Sequence, residues 1–162
     1  MSNDEQLATF RLQCHCGKIQ ASFECNSRSV VAWDCNCSDC RMRRNLHFII
    51  PKQRFRLLIP TDQYLESTTL YKWGTKTAVR RFCKTCGILP FYTPRSNPED
   101  GVAITVGCVV DFEENRPTVV VKVYDGANWE KSHAATGIAK ESKLVKPNSV
   151  NTTQNTDEGD RK

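Results

Sequence analysis

No run of apolar residues in this 162-residue chain approaches the ~18 needed to cross a bilayer as a helix. The first residues, MSNDEQLATF, carry acids and no apolar core, so they do not read as a secretory signal. Core material is scarce too, with 39% hydrophobic residues and a mean hydropathy of −0.51. One modest core is expected, and crosslinks by metal would help it fold. No segment repeats beyond paired cysteines, and no strand interleaves aromatic and basic residues as RNA-binding sheets do. What is abundant is cysteine. Nine is an odd number, and without an export signal it argues for reduced thiols rather than a disulfide framework. The expected compartment is cytosolic or nuclear.

The net charge of +5 is unevenly placed. Residues 41–95 hold twelve Lys/Arg against only Asp62 and Glu66, and the remainder is net acidic. Seven thiolates with two divalent ions would lower the total to about +2. That weakens a nucleic-acid reading, which usually shows a larger basic excess. A local anion site stays open.

Along the chain, Phe10 and Leu12 alternate with polar residues into Cys14, and Ile19, Ala21 and Phe23 alternate after Gly17. This period of two predicts a hairpin. Further strands are expected at Val30–Trp33, Leu46–Ile50, Phe55–Ile59, Thr68–Trp73, Val79–Phe82, 88–93, Val102–Val106 and Thr118–Tyr124. Only the stretch after Asp125-Gly126, through Trp129 to Ile138, has helical character, with Gly137 interrupting it. The fold class is therefore all-β, with one short C-terminal helix. Residues 1–9 are expected to be a flexible N-terminus, 10–142 the domain, and 143–162 a disordered polar tail.

Seven of the nine cysteines fall into three groups: Cys14-His15-Cys16, Cys35-Asn36-Cys37-Ser38-Asp39-Cys40, and Cys83-Lys84-Thr85-Cys86. The first and third are each followed by glycine (Gly17, Gly87), which permits a tight turn after the thiolates. In Cys-x-Cys a period of two puts both side chains on one face of an extended segment. Four thiolates, Cys14, Cys16, Cys83 and Cys86, match a closed structural zinc site that ties together distant parts of the chain. The triplet Cys35, Cys37 and Cys40 reads in two ways. It could be a second structural zinc completed by Cys25, Cys108 or His47, or an open zinc whose fourth position takes water or a substrate thiol. Redox chemistry is a weaker third option, because no βαβ pattern surrounds the triplet.

An open three-thiolate zinc can hold an incoming thiol as thiolate and polarise a carbonyl oxygen. Addition of a thiol to an aldehyde, or the reverse carbon–sulfur cleavage, needs both effects. A carboxylated thiol also needs cationic anchors, for which Arg43, Arg44, Arg80, Arg81 and Arg95 are candidates. The alternative is that these arginines form a solvated face offsetting the anionic clusters. His47 is either a proton carrier beside the triplet or a satisfied strand histidine. Tyr92 is either a proton donor or core, and Trp129 a packing anchor for the late helix. His15, between two ligands, should point away from the metal they share.

In this order the three cysteine clusters resemble the glutathione-dependent formaldehyde-activating enzyme family. His47-Phe48-Ile49-Ile50-Pro51, Phe91-Tyr92-Thr93-Pro94-Arg95-Ser96-Asn97-Pro98 and Asn128-Trp129-Glu130-Lys131 resemble its centromere protein V branch. The resemblance covers about residues 10–142. It implies a β-tent of antiparallel sheets, a structural zinc on Cys14, Cys16, Cys83 and Cys86, and a second zinc on Cys35, Cys37 and Cys40. The implied activity is carbon–sulfur lyase chemistry: condensation of formaldehyde with glutathione to S-(hydroxymethyl)glutathione, or its reversal. That equilibrium also runs uncatalysed, so glutathione binding without turnover is the rival within the family. Gln13 departs from the small residue that commonly precedes the first motif. No long basic arm precedes the domain, so chromosomal roles that need one are not expected.

Overall fold

Alternation of side chains on extended segments decides the architecture. The computed structural model describes residues 6–112 and 117–144. The expected tail from 143 onward, and the first five residues, lie almost wholly outside them. Among the described residues, ten strands form two sheets. β1 (Leu7–Gln13), β2 (Gln20–Asn26) and β5 (Phe55–Leu57) make a three-stranded antiparallel sheet in the order β1-β2-β5. The second sheet contains β3 (Ser29–Cys35), β4 (Leu46–Pro51), β6 (Thr68–Tyr71), β7 (Val79–Cys83), β8 (Phe91–Thr93), β9 (Gly101–Thr105) and β10 (Thr118–Tyr124). Its order is β10-β3-β4-β9-β8-β7-β6. Pairing is antiparallel throughout except between β10 and β3, which run parallel. The expected hairpin is β1–β2, paired from Leu7↔Asn26 to Gln13↔Gln20.

The central strands of the large sheet are buried on both faces, while its edge strands β10 and β6 are mostly exposed, and the period of two assigns each residue to one face. On β3, Val30 and Ala32 join a core with Phe10, Leu12, Ile19, Phe23, Phe48, Ile50, Val102 and Ile104. Val31, Trp33 and Cys35 face the other way, with Ile49, Tyr92, Ala103, Tyr124 and Ile138. Phe10, Phe23, Phe48 and Phe112 meet ring to ring in the first core. The second core carries the cysteine triplet.

Short helices punctuate the strands, among them α1 (Ser38–Arg43), α2 (Thr61–Glu66) and α3 (Trp129–Thr136). α3 is the expected helix, and it ends at Gly137 in a left-handed conformation, φ 67°. α1 and α2 add to the expected list. Each has six residues, too few to print a 3.6-residue apolar period. α2 takes residues 61–66 after Pro60, so β5 stops at Leu57 rather than Ile59. β6 likewise ends at Tyr71, which frees Trp73 from the sheet. No helix among the described residues is long and apolar enough to cross a membrane.

Candidate metal centres and the cavity beside the triplet

The first centre is built by two turns of the same design. The backbone N–H of Cys14 donates to the carbonyl of Ile19 (3.1 Å) and that of Cys83 to Ile88 (3.0 Å). Gly17 and Gly87 close the turns at φ 75° and 74°, values that favour glycine. Lys18 Nζ bridges them by donating to Thr85 Oγ1 at 3.0 Å. The Sγ atoms of Cys14, Cys16, Cys83 and Cys86 all lie within 4.8 Å of one another. Sγ–Sγ separations of 3.6 Å (Cys14–Cys16) and 3.5 Å (Cys16–Cys83) are too long for a disulfide bond. They match the edge of about 3.8 Å that a tetrahedron with metal–sulfur distances of ~2.3 Å requires. Cys14 Sγ accepts the Ile19 N–H at 3.3 Å. Cys16 sits in the turn rather than on an extended strand, and it is exposed, as is His15 beside it, which is outside the cluster. The four thiols therefore fit a metal ion as a set.

The second centre brings Cys35, at the end of β3, to Cys37 and Cys40 at the start of α1, again with all Sγ atoms within 4.8 Å. Cys37 caps α1, its Sγ accepting the Cys40 N–H at 3.5 Å. The three thiols polarise one another. Cys37 is held far below its ordinary value, first by hydrogen bonds from Cys35 and Cys40 and further by Arg80. Cys40 is pushed far above it by hydrogen bonds to the same two partners and by burial. No fourth protein ligand joins them among the described residues. Cys25 is buried on β2 in the opposite core, and Cys108 lies on the 3-10 turn Val106–Cys108. The open reading of the triplet is the one this geometry fits.

The triplet lines a cavity of about 190 Å³ together with His47, Trp73, Arg80, Tyr92, Arg95, Tyr124, Gly126 and Trp129. His47 lies outside the tight ligand cluster yet faces the same space. It is 5% exposed, its Nδ1 has no hydrogen-bond partner, and burial pushes its pKa down to about 4, so the ring is neutral. Its edge meets the Tyr92 ring, centroids 5.4 Å apart. Burial raises the Tyr92 phenol well above its ordinary value, so its O–H stays protonated.

Of the candidate anchors, Arg80 and Arg95 reach the cavity; Arg43, Arg44 and Arg81 do not. Arg43 pairs with Asp39 and lies over Phe82, 4.3 Å from its centroid. Arg44 is the exposed left-handed cap of α1. Arg81 alternates with Arg80 on β7, so it faces the other side of the sheet and donates to Thr68 Oγ1 at 3.4 Å. Arg80 is buried, with its Nε 2.6 Å from Asp39 Oδ2 and its guanidinium over Tyr92. Arg95 lies over Trp129, its Cζ 3.7 Å from the ring centroid, and donates to Glu130 Oε1 at 2.7 Å. Trp129 thus forms part of the cavity wall as well as packing the helix. Trp73, Tyr124 and Gly126 carried no sequence signal for this role. The Pro94–Asn97 string is explained in part by Asn97, whose Nδ2 donates to the Ala139 carbonyl (3.0 Å) and Ser142 Oγ (2.8 Å) and fastens the segment after α3.

A sequence model of the glutathione-dependent formaldehyde-activating enzymes matches residues 9–126, well over half of the chain. The chain belongs to this family. Among solved structures, a Rhodobacter sphaeroides protein is 28% identical, with a TM-score of 0.53, over 69% of this chain and 99% of that one. Membership of the glutathione-dependent formaldehyde-activating enzymes agrees with the two cysteine groups and the predominantly β architecture.

Proposed function

We propose that the protein is a zinc-dependent carbon–sulfur lyase acting on glutathione adducts, forming S-(hydroxymethyl)glutathione from formaldehyde and glutathione or cleaving it. The observation that carries this reading is a three-thiolate set in a solvent-accessible cavity with no fourth ligand from the described residues. Zinc bound there would hold a thiol as thiolate near neutral pH and polarise a carbonyl oxygen. The chain's own residues supply the rest. Tyr92 keeps its proton and can donate a hydrogen bond to an oxygen in the cavity. Neutral His47, with its unpartnered Nδ1, can accept a hydrogen bond in the cavity and pass on the proton released when a thiol ionises, while its lowered pKa keeps it from holding that proton. Arg95 offers a guanidinium to a glutathione carboxylate at the rim. In the forward direction the thiolate sulfur attacks the aldehyde carbon, and the carbonyl oxygen gains the proton the thiol lost. Cys14, Cys16, Cys83 and Cys86 hold a structural zinc. The nine free thiols suit a reducing compartment, cytosol or nucleus.

A second reading keeps the site and removes the turnover: a glutathione-binding protein with the thiol as fourth ligand. The two differ in kinetics. Zinc-loaded protein should accelerate adduct formation or breakdown above the uncatalysed rate, and Cys37→Ser should abolish this while the fold persists. Calorimetric binding of glutathione without acceleration favours the second reading, and absence of binding removes both. A nucleic-acid partner has less support. Arg43 and Arg80 are engaged by Asp39, Arg95 by Glu130, and Lys84 by the Glu66 carbonyl.

A further inference from the structure

The segment 124–128 packs onto one side of the cysteine triplet closely enough to decide where its sulfurs sit. Gly126 lines the cavity, and a Cβ there would fall 2.5 Å from Cys35 Sγ and 2.9 Å from Cys37 Cβ. Its φ is outside the left-handed region, so the requirement for glycine is one of space, not of backbone conformation. Asn36, between two of the cysteines, is tied to the same segment by three hydrogen bonds. Its N–H donates to the Tyr124 carbonyl at 3.1 Å, its Nδ2 to Asp125 Oδ1 at 2.9 Å, and its Oδ1 accepts the Ala127 N–H at 3.0 Å. Asp125 is itself fixed by Asn128 Nδ2 at 2.8 Å, and its carbonyl accepts from Ser132 Oγ at 2.9 Å on α3.

We propose that Asn36, Asp125 and Gly126 are positioning residues: a clasp that presses the 124–128 segment against Cys35 and Cys37, closes that side of the triplet to a fourth ligand, and leaves approach only from the cavity. The inference rests on the triplet holding a metal. It assigns these residues no contact with substrate. Partners that orient metal ligands typically change affinity by about 10–100-fold when lost. The clasp should therefore control the second metal equivalent and leave the four-cysteine equivalent untouched.

The test uses cobalt(II) as a spectroscopic substitute, titrated into metal-depleted full-length protein, with the four-cysteine site as internal reference. Gly126→Ala should weaken the second equivalent at least tenfold and shift its ligand-field bands, while the first equivalent keeps its spectrum. Asn36→Asp sets a carboxylate against Asp125 and should do the same. Adding Asp125→Asn to that variant restores a donor facing an acceptor across this pair, and the Ala127 N–H keeps its acceptor; what is given up is the long contact of the Asn128 N–H with Asp125 Oδ1, 3.4 Å. The pair should recover most of the affinity and the wild-type spectrum. A merely structural role would not give recovery that follows the donor–acceptor pattern. An unchanged second equivalent in Asn36→Asp, or a loss that Asp125→Asn does not repair, overturns the clasp even if Gly126→Ala fails to fold. If wild type itself binds a single cobalt ion, the metal reading of the triplet has failed instead.

Discussion

Asp39 Oδ2 and Arg80 Nε meet at 2.6 Å with each side chain only 7% exposed, which makes this a buried ion pair. It joins the helix that carries Cys40 and is capped by Cys37 to strand β7, whose last residue, Cys83, belongs to the other cysteine group. One carboxylate therefore couples the two candidate centres, and it holds Arg43 as well.

Removing that carboxylate should be costly. Asp39→Ala leaves a buried guanidinium uncompensated, a change that typically destabilises by about 3–5 kcal/mol. Urea unfolding of the metal-loaded protein would read it as a lower midpoint with an unchanged slope. Replacing Asp39 and Arg80 together by apolar residues of similar size should cost less than Asp39→Ala alone. A single variant as stable as wild type would show that the pair is solvated in solution.

The two metal centres should respond differently to loss of a ligand. A structural zinc in a small domain contributes apparent free energies of ~10–16 kcal/mol, as large as the whole stability of a typical domain, about 5–15 kcal/mol. Cys83→Ser or strong chelation should therefore cost the chain its cooperative unfolding transition. Cys37→Ser should leave that transition in place and lower bound zinc by one equivalent, as measured by metal analysis and circular dichroism. A cooperative transition in Cys83→Ser would overturn the division of labour.

His47 predicts an acid-side loss of stability. Burial sets its folded-state pKa at about 4, against ~6.5 in an unfolded chain. Between those values the unfolded state binds the extra proton, so stability is complete above the unfolded value and falls as pH drops toward the folded one. The shift corresponds to roughly 3 kcal/mol. His47→Gln removes this contribution and should show a flatter profile from pH 7 to 4, with the acid sensitivity of the metal thiolates common to both proteins. Parallel profiles would mean that the ring is already charged or solvated.

Ligand counting reads the partition of seven cysteines into four and three, because spacing along the chain constrains which thiols can share a metal. Alternation reads the strands equally well. The cavity is a different matter. Its walls come from Trp73, Arg80, Tyr124, Gly126 and Trp129, spread over segments that meet only through sheet order and the parallel β3–β10 pairing. Arg43 and Arg81 look equivalent to Arg80 as cations in the sequence, yet the sheet's period of two turns Arg81 away from the cavity, and Arg43, on α1, lies over Phe82 outside it. Gly126 reads as part of an ordinary Asp-Gly turn until the neighbouring Cys35 sulfur is seen.

Arg95 and Glu130 give the last prediction, because they put a carboxylate already in place where a ligand carboxylate would bind. Arg95 keeps its orientation by lying on Trp129, and Glu130 is largely exposed, so it competes for the guanidinium without being locked to it. If Arg95 anchors glutathione, Arg95→Met should weaken binding roughly tenfold, the worth of one charge-assisted hydrogen bond, and leave metal content unchanged. Glu130→Gln should act in the opposite direction, since it removes the competing charge and preserves the shape. Arg95→Lys should fall between, because an ammonium gives neither the stack nor the forked contact. Isothermal titration with glutathione, and with its ester lacking free carboxylates, measures all three. The ester should bind wild type and Arg95→Met alike. Equal affinity of glutathione for wild type, Arg95→Met and Glu130→Gln would remove Arg95 from the binding site and leave the thiol as the ligand's principal hold on the protein.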